Sequence, residues 1–205
     1  EVKHGVAILC TGGVEYRGDE YGYGTNPNIV TGLEFEEILA EHARLPKEEC
    51  TRPLPKSIAM VLCVGPAEQY CGRICCSSAL KNALALKRLH PAAQITILYR
   101  EMRSYGFKER LHTQARDSGV AFIHYDELSR PEVRTLDASD SGDAALEIRV
   151  WEEVLGREIT LQPDMLVLSN PVVPAPAAQE MNERLKVQLD GNGFFLEAHA
   201  KLRPI

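Results

Sequence analysis

Short runs of consecutive apolar residues alternate along this chain with stretches in which apolar residues recur every three or four positions. The consecutive runs are typical of buried strands and the periodic stretches of amphipathic helices. Runs of the first kind predict strands at 57–64, 95–99, 120–125 and 164–169. The periodic pattern predicts helices at 75–89 and 106–118.

Strand and helix patterns follow one another from about residue 56, and this order is informative. A strand, a helix and a second strand in sequence form a βαβ unit, which pairs its strands in parallel. Gly119 stands at the expected end of the second helix, where glycine is common. The sequence therefore predicts the α/β class, with a Rossmann-like parallel sheet covered by helices on both faces.

Shorter apolar patterns precede and follow this unit. The run 6–10 predicts a buried strand that ends at a glycine turn, and 31–43 predicts a helix that opens with a Thr31/Glu34 capping box. The runs 145–151 and 158–161 predict a hairpin at one edge of the sheet. A last short helix is predicted at 178–185.

Composition and charge narrow the classes of function. The 205 residues include 23 Lys and Arg against 29 Asp and Glu, a net charge of −6. That balance argues against a protein that binds nucleic acid or anionic membranes electrostatically. The longest apolar run, 58–65, is too short to span a bilayer, so we expect no membrane insertion. No signal peptide is visible.

The first residues of the chain bear on whether it is part of a longer protein. The chain opens Glu-Val-Lys without an initiator Met, at the edge of a predicted strand, so we expect a piece of a longer protein.

Four of the six cysteines fall within 14 residues, at 63, 71, 75 and 76. Such crowding without an export signal favours metal or redox chemistry in the cytoplasm over structural disulfides.

These four cysteines occupy the turn after the first strand of the βαβ unit. In dinucleotide-binding domains this turn carries Gly-x-Gly-x-x-Gly, and that fingerprint is absent here. The second strand ends at Tyr99-Arg100, without the acidic residue that would hold an adenosine ribose. Both departures disfavour NAD at this crevice, although Arg100 would suit the 2′-phosphate of NADP.

Four thiols match the ligand count of a [4Fe–4S] cluster. The N-terminus of the predicted helix also offers unpaired N–H groups and a partial positive charge to an anionic cluster. Three alternatives remain open: a zinc site, a redox-active dithiol, and small thiols that only fill a tight turn. Zinc is disfavoured because adjacent Cys75 and Cys76 do not form the usual C-x2-C pair. Cys10 and Cys50 stand apart and are interpreted as packing or surface thiols.

Several segments together resemble the A-type flavoprotein component of heterodisulfide reductase. They are Cys63-Val-Gly, Tyr70-Cys-Gly-Arg-Ile-Cys-Cys-Ser-Ser, Ile97-Leu-Tyr-Arg-Glu-Met-Arg-Ser-Tyr-Gly-Phe, Leu9-Cys-Thr-Gly-Gly-Val-Glu-Tyr-Arg, Tyr21-Gly-Tyr-Gly-Thr-Asn-Pro-Asn and Asp190-Gly-Asn-Gly-Phe-Phe-Leu. The flavoprotein subunit of the quinone-interacting membrane-bound oxidoreductase shares much of this pattern. The resemblance extends over nearly the whole chain.

The resemblance implies a thioredoxin-reductase-like flavoprotein whose FAD domain is interrupted by a second nucleotide-type domain. It implies that Cys63, Cys71, Cys75 and Cys76 bind a [4Fe–4S] cluster near the flavin. Thr11, Gly12 and Gly13 would then face FAD in the full-length protein. The corresponding domains are the edge of the FAD-type domain at 1–54, the Rossmann-like cluster domain at 55–173 and a return segment at 174–205.

The implied function is electron transfer within an oxidoreductase. The expected partners are other subunits of a heterodisulfide reductase-like or quinone-interacting complex, and no acid–base catalyst is expected in this piece, which alone would be inactive. Two rival interpretations are an NAD(P)H-binding domain with a redox-active dithiol and a docking module that holds structural zinc.

Overall fold

The computed structural model describes residues 3–65, 71, 74–136 and 145–196. The chain forms two compact units: residues 17–171, called the sheet unit below, and residues 1–16 with 172–205, called the terminal unit. The strands are β1 Gly13–Glu15, β2 Ile29–Thr31, β3 Ser57–Val61, β4 Gln94–Tyr99, β5 Ala121–His124, β6 Glu132–Thr135, β7 Leu146–Glu152, β8 Arg157–Leu161, β9 Met165–Leu168 and β10 Val172–Pro174. The α-helices are α1 Gly32–Arg44, α2 Cys75–Leu89, α3 Glu109–Asp117 and α4 Ala177–Leu185.

A five-stranded parallel sheet forms the centre of the sheet unit. Its strand order is β2-β9-β3-β4-β5, and each neighbouring pair runs parallel. The α/β class and the parallel sheet are confirmed. Because all five strands run the same way, their carboxyl ends meet at one edge of the sheet, and Cys63 follows β3 there.

The two faces of this sheet are covered differently. Ile58, Met60 and Leu62 pack into a core with buried residues of the helices α1, α2 and α3. Ala59 and Val61 point to the opposite face and pack with Ile148 and its neighbours in β7. Among the described residues of the sheet unit, helices therefore cover one face only, which corrects the prediction of helices on both faces.

The other face is covered by a second sheet. The predicted hairpin forms as β7 and β8, but β6 pairs with β7 as well, so the three strands make an antiparallel sheet of their own. The prediction of a hairpin at the edge of the parallel sheet is therefore wrong. The physical reason is the alternation in β7, where Leu146, Ile148 and Val150 are buried and form one apolar face.

The helix α1 begins as predicted. The Thr31 hydroxyl accepts a hydrogen bond from the Glu34 N–H at 3.3 Å, and the Glu34 carboxylate accepts one from the Thr31 N–H at 2.9 Å. This is the predicted capping box, and it satisfies two backbone donors at the helix start. Helix α3 is followed by Gly119, whose φ of +80° shows why glycine stands there.

One predicted domain boundary and one predicted strand differ from the structure. β2 pairs with β9, and α1 buries Phe35 and Leu39 against the helix-covered face, so the sheet unit begins well before the predicted boundary at residue 55. The predicted strand at 6–10 does not form among the described residues. Val6 and Ile8 are 78% and 83% exposed there, because no neighbouring strand pairs with them.

The terminal unit contains β1, β10 and α4. β1 and β10 pair antiparallel, with Gly13 opposite Pro174. Further along, Leu189 and Phe195 form a bridge on either side of Asp190-Gly191. Among the helices of the described residues, none combines the length and the apolar character required to cross a lipid bilayer.

Candidate cysteine site

Cys63 and the pair Cys75 and Cys76 lie where β3 ends and α2 begins. Leu62 still pairs with β4, since its N–H donates to the Leu98 carbonyl at 2.9 Å. Cys63 then turns the chain out of the sheet with a φ of +61°, a left-handed conformation that is uncommon outside glycine. Cys75 and Cys76 are the first two residues of α2 and are buried in the helix-covered core.

The environment of Cys63 combines burial with backbone donors. Burial raises the pKa of the Cys63 thiol, because a thiolate loses hydration there. The backbone N–H groups of Glu101 and Arg100 oppose this rise because they donate toward the sulfur. These N–H groups belong to the segment after β4, so two strand ends converge on one sulfur atom.

Cys75 and Cys76 behave as an asymmetric pair. The interaction between these adjacent thiols lowers the pKa of Cys76 and raises the pKa of Cys75. Backbone N–H groups of Arg103 and of Cys76 itself also favour the Cys76 thiolate. When protonated, Cys76 lies 3.6 Å from the Glu101 carbonyl oxygen and can donate to it.

Cys71 joins the same neighbourhood. It is half-buried, and its charge acts on both Cys75 and Arg103. The residues on either side of it, 66–70 and 72–73, lie outside the described part of the chain. The four cysteines that the sequence analysis selected are free thiols, and the charge of each acts on the pKa of at least one other or is acted on by it.

The two other cysteines lie elsewhere. Cys10 is exposed in the terminal unit. Cys50 is part of the sheet unit, and its thiol donates to the Pro46 carbonyl at 3.4 Å, within a turn after α1. They are matched controls for any experiment on the four clustered thiols.

The type and number of donors bear on which metal centre this segment could bind. Across the described ranges, no three His, Cys, Asp or Glu side chains are close enough together to hold a single metal ion. A tetrahedral zinc site needs its sulfur ligands about 2.3 Å from one ion. A four-iron cluster is a larger body, and its thiolate ligands stand farther apart. Four thiols, converging backbone N–H groups and a helix start fit such an anionic cluster.

Thr11, Gly12 and Gly13 lie in the terminal unit, just before and in β1. A Cβ atom on Gly13 would lie 2.5 Å from Val172 Cγ1 and 2.7 Å from the Val173 carbonyl oxygen. The close approach of β1 and β10 therefore requires a glycine at this position. This packing role exists whether or not a flavin lies nearby.

Two tyrosines near Cys63 were not selected from the sequence. Tyr125 is buried after β5, and Tyr21 lies in the glycine-rich loop, whose pattern indicates only an exposed loop. The pKa of each tyrosine is raised, chiefly by burial, with Cys63 among the charges that contribute. A tyrosine in a loop carries no pattern that would have signalled this placement.

Comparison with known proteins finds relatives over the entire chain. It is 31% identical over 220 residues to the A component of the H2:CoB-CoM heterodisulfide,ferredoxin reductase of Methanothermobacter marburgensis, covering 100% of this chain and 32% of that protein. It is 32% identical over 219 residues to the iron-sulfur A component of the CoB–CoM heterodisulfide reductase of Methanocaldococcus jannaschii, with coverage of 100% and 32%. The chain thus spans about a third of the length of these relatives. No family model matches it.

Solved structures share the fold at low sequence identity. Thioredoxin reductase of Lactococcus lactis superposes with a TM-score of 0.52 at 17% identity, over 94% of this chain and 52% of that one. L-lysine 6-monooxygenase of Pseudomonas syringae gives 0.51 at 13% identity, over 90% and 50%. The likeness supports a thioredoxin-reductase-like fold.

Proposed function

This chain belongs to the A-component family of heterodisulfide reductases, and from that premise we propose that it carries a [4Fe–4S] electron-transfer centre of an FAD-dependent oxidoreductase. The ligands are Cys63, Cys71, Cys75 and Cys76. The observation that supports the proposal is that four free thiols stand between the end of β3 and the first turn of α2. A thiol-rich turn replaces the glycine fingerprint of a nucleotide site.

The side chains and backbone of this chain have distinct tasks in that site. The four thiolates bind the cluster, which when bound supplies one-electron chemistry. The Glu101 and Arg100 N–H groups, directed at Cys63, and the Arg103 N–H group, directed at Cys76, stabilise negative charge on sulfur. The buried core around Cys76 keeps water from this side of the site. No proton transfer by a side chain is required.

The remaining proposals concern the longer protein. We assign the terminal unit to an FAD-type domain, with Thr11, Gly12 and Gly13 facing the flavin. The sheet unit is the cluster domain inserted into it. The partners are other subunits of a heterodisulfide reductase-like or quinone-interacting complex, and the relatives' names support the first of these. Six free cysteines are consistent with work in the reducing cytoplasm.

One specific observation favours a second candidate function. Two adjacent thiols at a helix start, one of them with a lowered pKa, are an arrangement that activates a thiol. A redox-active dithiol beside NAD(P)H would use it. In that case the site would contain no iron, and Cys76 would be the nucleophilic sulfur.

Metal analysis separates these functions. The protein is purified and kept under anaerobic conditions, and iron, acid-labile sulfide and zinc are measured per chain. The proposal predicts about four irons and four sulfides, with broad visible absorption that bleaches on reduction. Zinc without sulfide would indicate the docking module, and a metal-free protein that reacts with NADPH would indicate the dithiol function.

A further inference from the structure

Two strained residues face one cavity beside the proposed cluster. Among the described residues, three that are not glycine have a positive φ: Tyr21 at +56°, Cys63 at +61° and Lys186 at +58°. Lys186 ends helix α4, a common place for that conformation. Tyr21 and Cys63 come from distant parts of the sequence. Such strain persists only where the surroundings hold it, and it concentrates at functional sites.

The cavity itself has a volume of about 310 Å³. Tyr21 and Cys63 both line it, together with Glu20, Val64, Gly65, Arg130 and Pro131. Tyr21 is half-buried, and burial is the largest cause of its raised pKa. The charges of Tyr21 and Cys63 both contribute to the raised pKa of Tyr125. A half-buried aromatic residue and Cys63 therefore line the same cavity.

The turn that carries Tyr21 is held in place by its own hydrogen bonds. The Gly22 N–H donates to the Asp19 carbonyl at 3.2 Å, and the Tyr23 N–H donates to the Glu20 carbonyl at 3.1 Å. Beyond it, the Tyr23 hydroxyl donates to the Glu34 carboxylate at 2.7 Å and so ties the loop to α1. The position of Tyr21 is thus fixed by hydrogen bonds that do not involve Cys63.

We propose that Tyr21 is a positioning residue whose ring shields Cys63, and with it the cluster, from water. The inference deepens the proposed function, since it rests on Cys63 being a ligand. Reduction adds negative charge to a cluster that already carries four thiolates. Water stabilises the more negative state best, so excluding water holds the reduction potential low. The ring, rather than the hydroxyl, performs this task.

The test compares variants in the full protein by two measurements. One is the midpoint potential of the cluster in a redox titration followed by electron paramagnetic resonance. The other is the rate at which iodoacetamide labels Cys63 in metal-free protein, read by mass spectrometry of the Cys63 peptide. Phe107→Ala is the control, because it removes an exposed aromatic ring that does not line the cavity.

Tyr21→Ala is expected to raise the potential and to speed labelling of Cys63 on the order of tenfold, because water and reagent gain access. Tyr21→Phe keeps the ring and is expected to keep both values. If Tyr21→Ala does not fold, Tyr21→Asn, which tolerates a left-handed backbone, is expected to give the same changes. Phe107→Ala is expected to alter neither measurement.

Unchanged potential and labelling in Tyr21→Ala or Tyr21→Asn would overturn the inference. Equal shifts in Tyr21→Phe and Tyr21→Ala would also overturn it, since the hydroxyl would then be responsible. The labelling measurement needs no iron. Faster labelling of Tyr21→Ala in a protein that never binds iron would support the shielding and refute the proposed function separately.

Discussion

The Tyr125 hydroxyl donates a 2.6 Å hydrogen bond to the Leu62 carbonyl oxygen, in the buried core one residue before Cys63. Tyr125 follows β5, and its own N–H donates to the Tyr99 carbonyl at 3.0 Å. One side chain thus ties the end of β3 to the end of β5. This contact supports the backbone from which the first cysteine of the site projects.

Replacing Tyr125 with Phe is expected to lower the free energy of unfolding by about 1–3 kcal/mol, because the buried Leu62 carbonyl loses its partner. The loss should depend on pH. Burial raises the pKa of Tyr125 above its ordinary value of 10.0, so folding favours the neutral phenol. The contribution of Tyr125 is fully present below about pH 10 and declines as pH rises toward the raised folded pKa.

Urea denaturation at pH 8 and pH 11 measures this effect. The difference in unfolding free energy between the wild-type protein and Tyr125→Phe should be smaller at pH 11. A difference that is the same at both pH values would show that Tyr125 does not titrate differently in the folded and unfolded states.

The capping box of α1 gives a second prediction. Thr31→Ala removes the hydroxyl that accepts from the Glu34 N–H, and it should cost about 1 kcal/mol of stability. Thr31→Ser should restore most of this, since the hydroxyl returns. A lower urea midpoint with an unchanged slope would identify the change as one of stability. Equal midpoints for the Ala and Ser variants would argue against the cap.

Leu86 tests the core between α2 and the sheet. It is 0% exposed, so Leu86→Ala should lower stability by about 2–5 kcal/mol through lost burial and a cavity. Leu128, which is 95% exposed, provides the control, and Leu128→Ala should stay within about 0.5 kcal/mol of the wild-type protein. Thermal unfolding of the two variants side by side distinguishes them. Similar losses would mean that α2 does not pack on the sheet as described.

Gly13 tests the packing of the terminal unit independently of any flavin. Gly13→Ala places a methyl group against Val172 and the Val173 carbonyl, and overpacking of this kind typically costs about 1–3 kcal/mol. Hydrogen exchange of the β1 and β10 amides should accelerate in flavin-free protein. Gly5→Ala, with nothing within 4 Å of the added carbon, should leave that exchange unchanged. Slow exchange in Gly13→Ala would leave flavin contact as the reason for this glycine.

Much of the sheet unit could be predicted from the sequence because its signals are local. The apolar run of β3, the periodic pattern of α2 and the Thr31/Glu34 pair each act within a few residues. The second sheet could not be predicted in the same way. In β6 only Val133 is apolar, so that strand is defined by its pairing with β7 rather than by its own pattern.

The candidate site also has one part that could be predicted from the sequence and one that could not. The spacing of the cysteines and the order of elements place them together, because the turn after a strand and the start of the next helix are neighbours in a βαβ unit. The involvement of Tyr21 depends on a left-handed backbone and on a cavity shared with Cys63, and neither has a sequence pattern. The run 6–10 shows the converse, a strand pattern that remains without a pairing partner in the described chain.

The four-cysteine centre is tested most directly by the iron content of single serine variants after anaerobic reconstitution. Replacing Cys63, Cys71, Cys75 or Cys76 should lower the iron and sulfide per chain and weaken the visible absorption, because a cluster needs all four thiolates. Cys10→Ser and Cys50→Ser should keep the wild-type content. Full iron and an unchanged spectrum in both Cys75→Ser and Cys76→Ser would contradict the assignment.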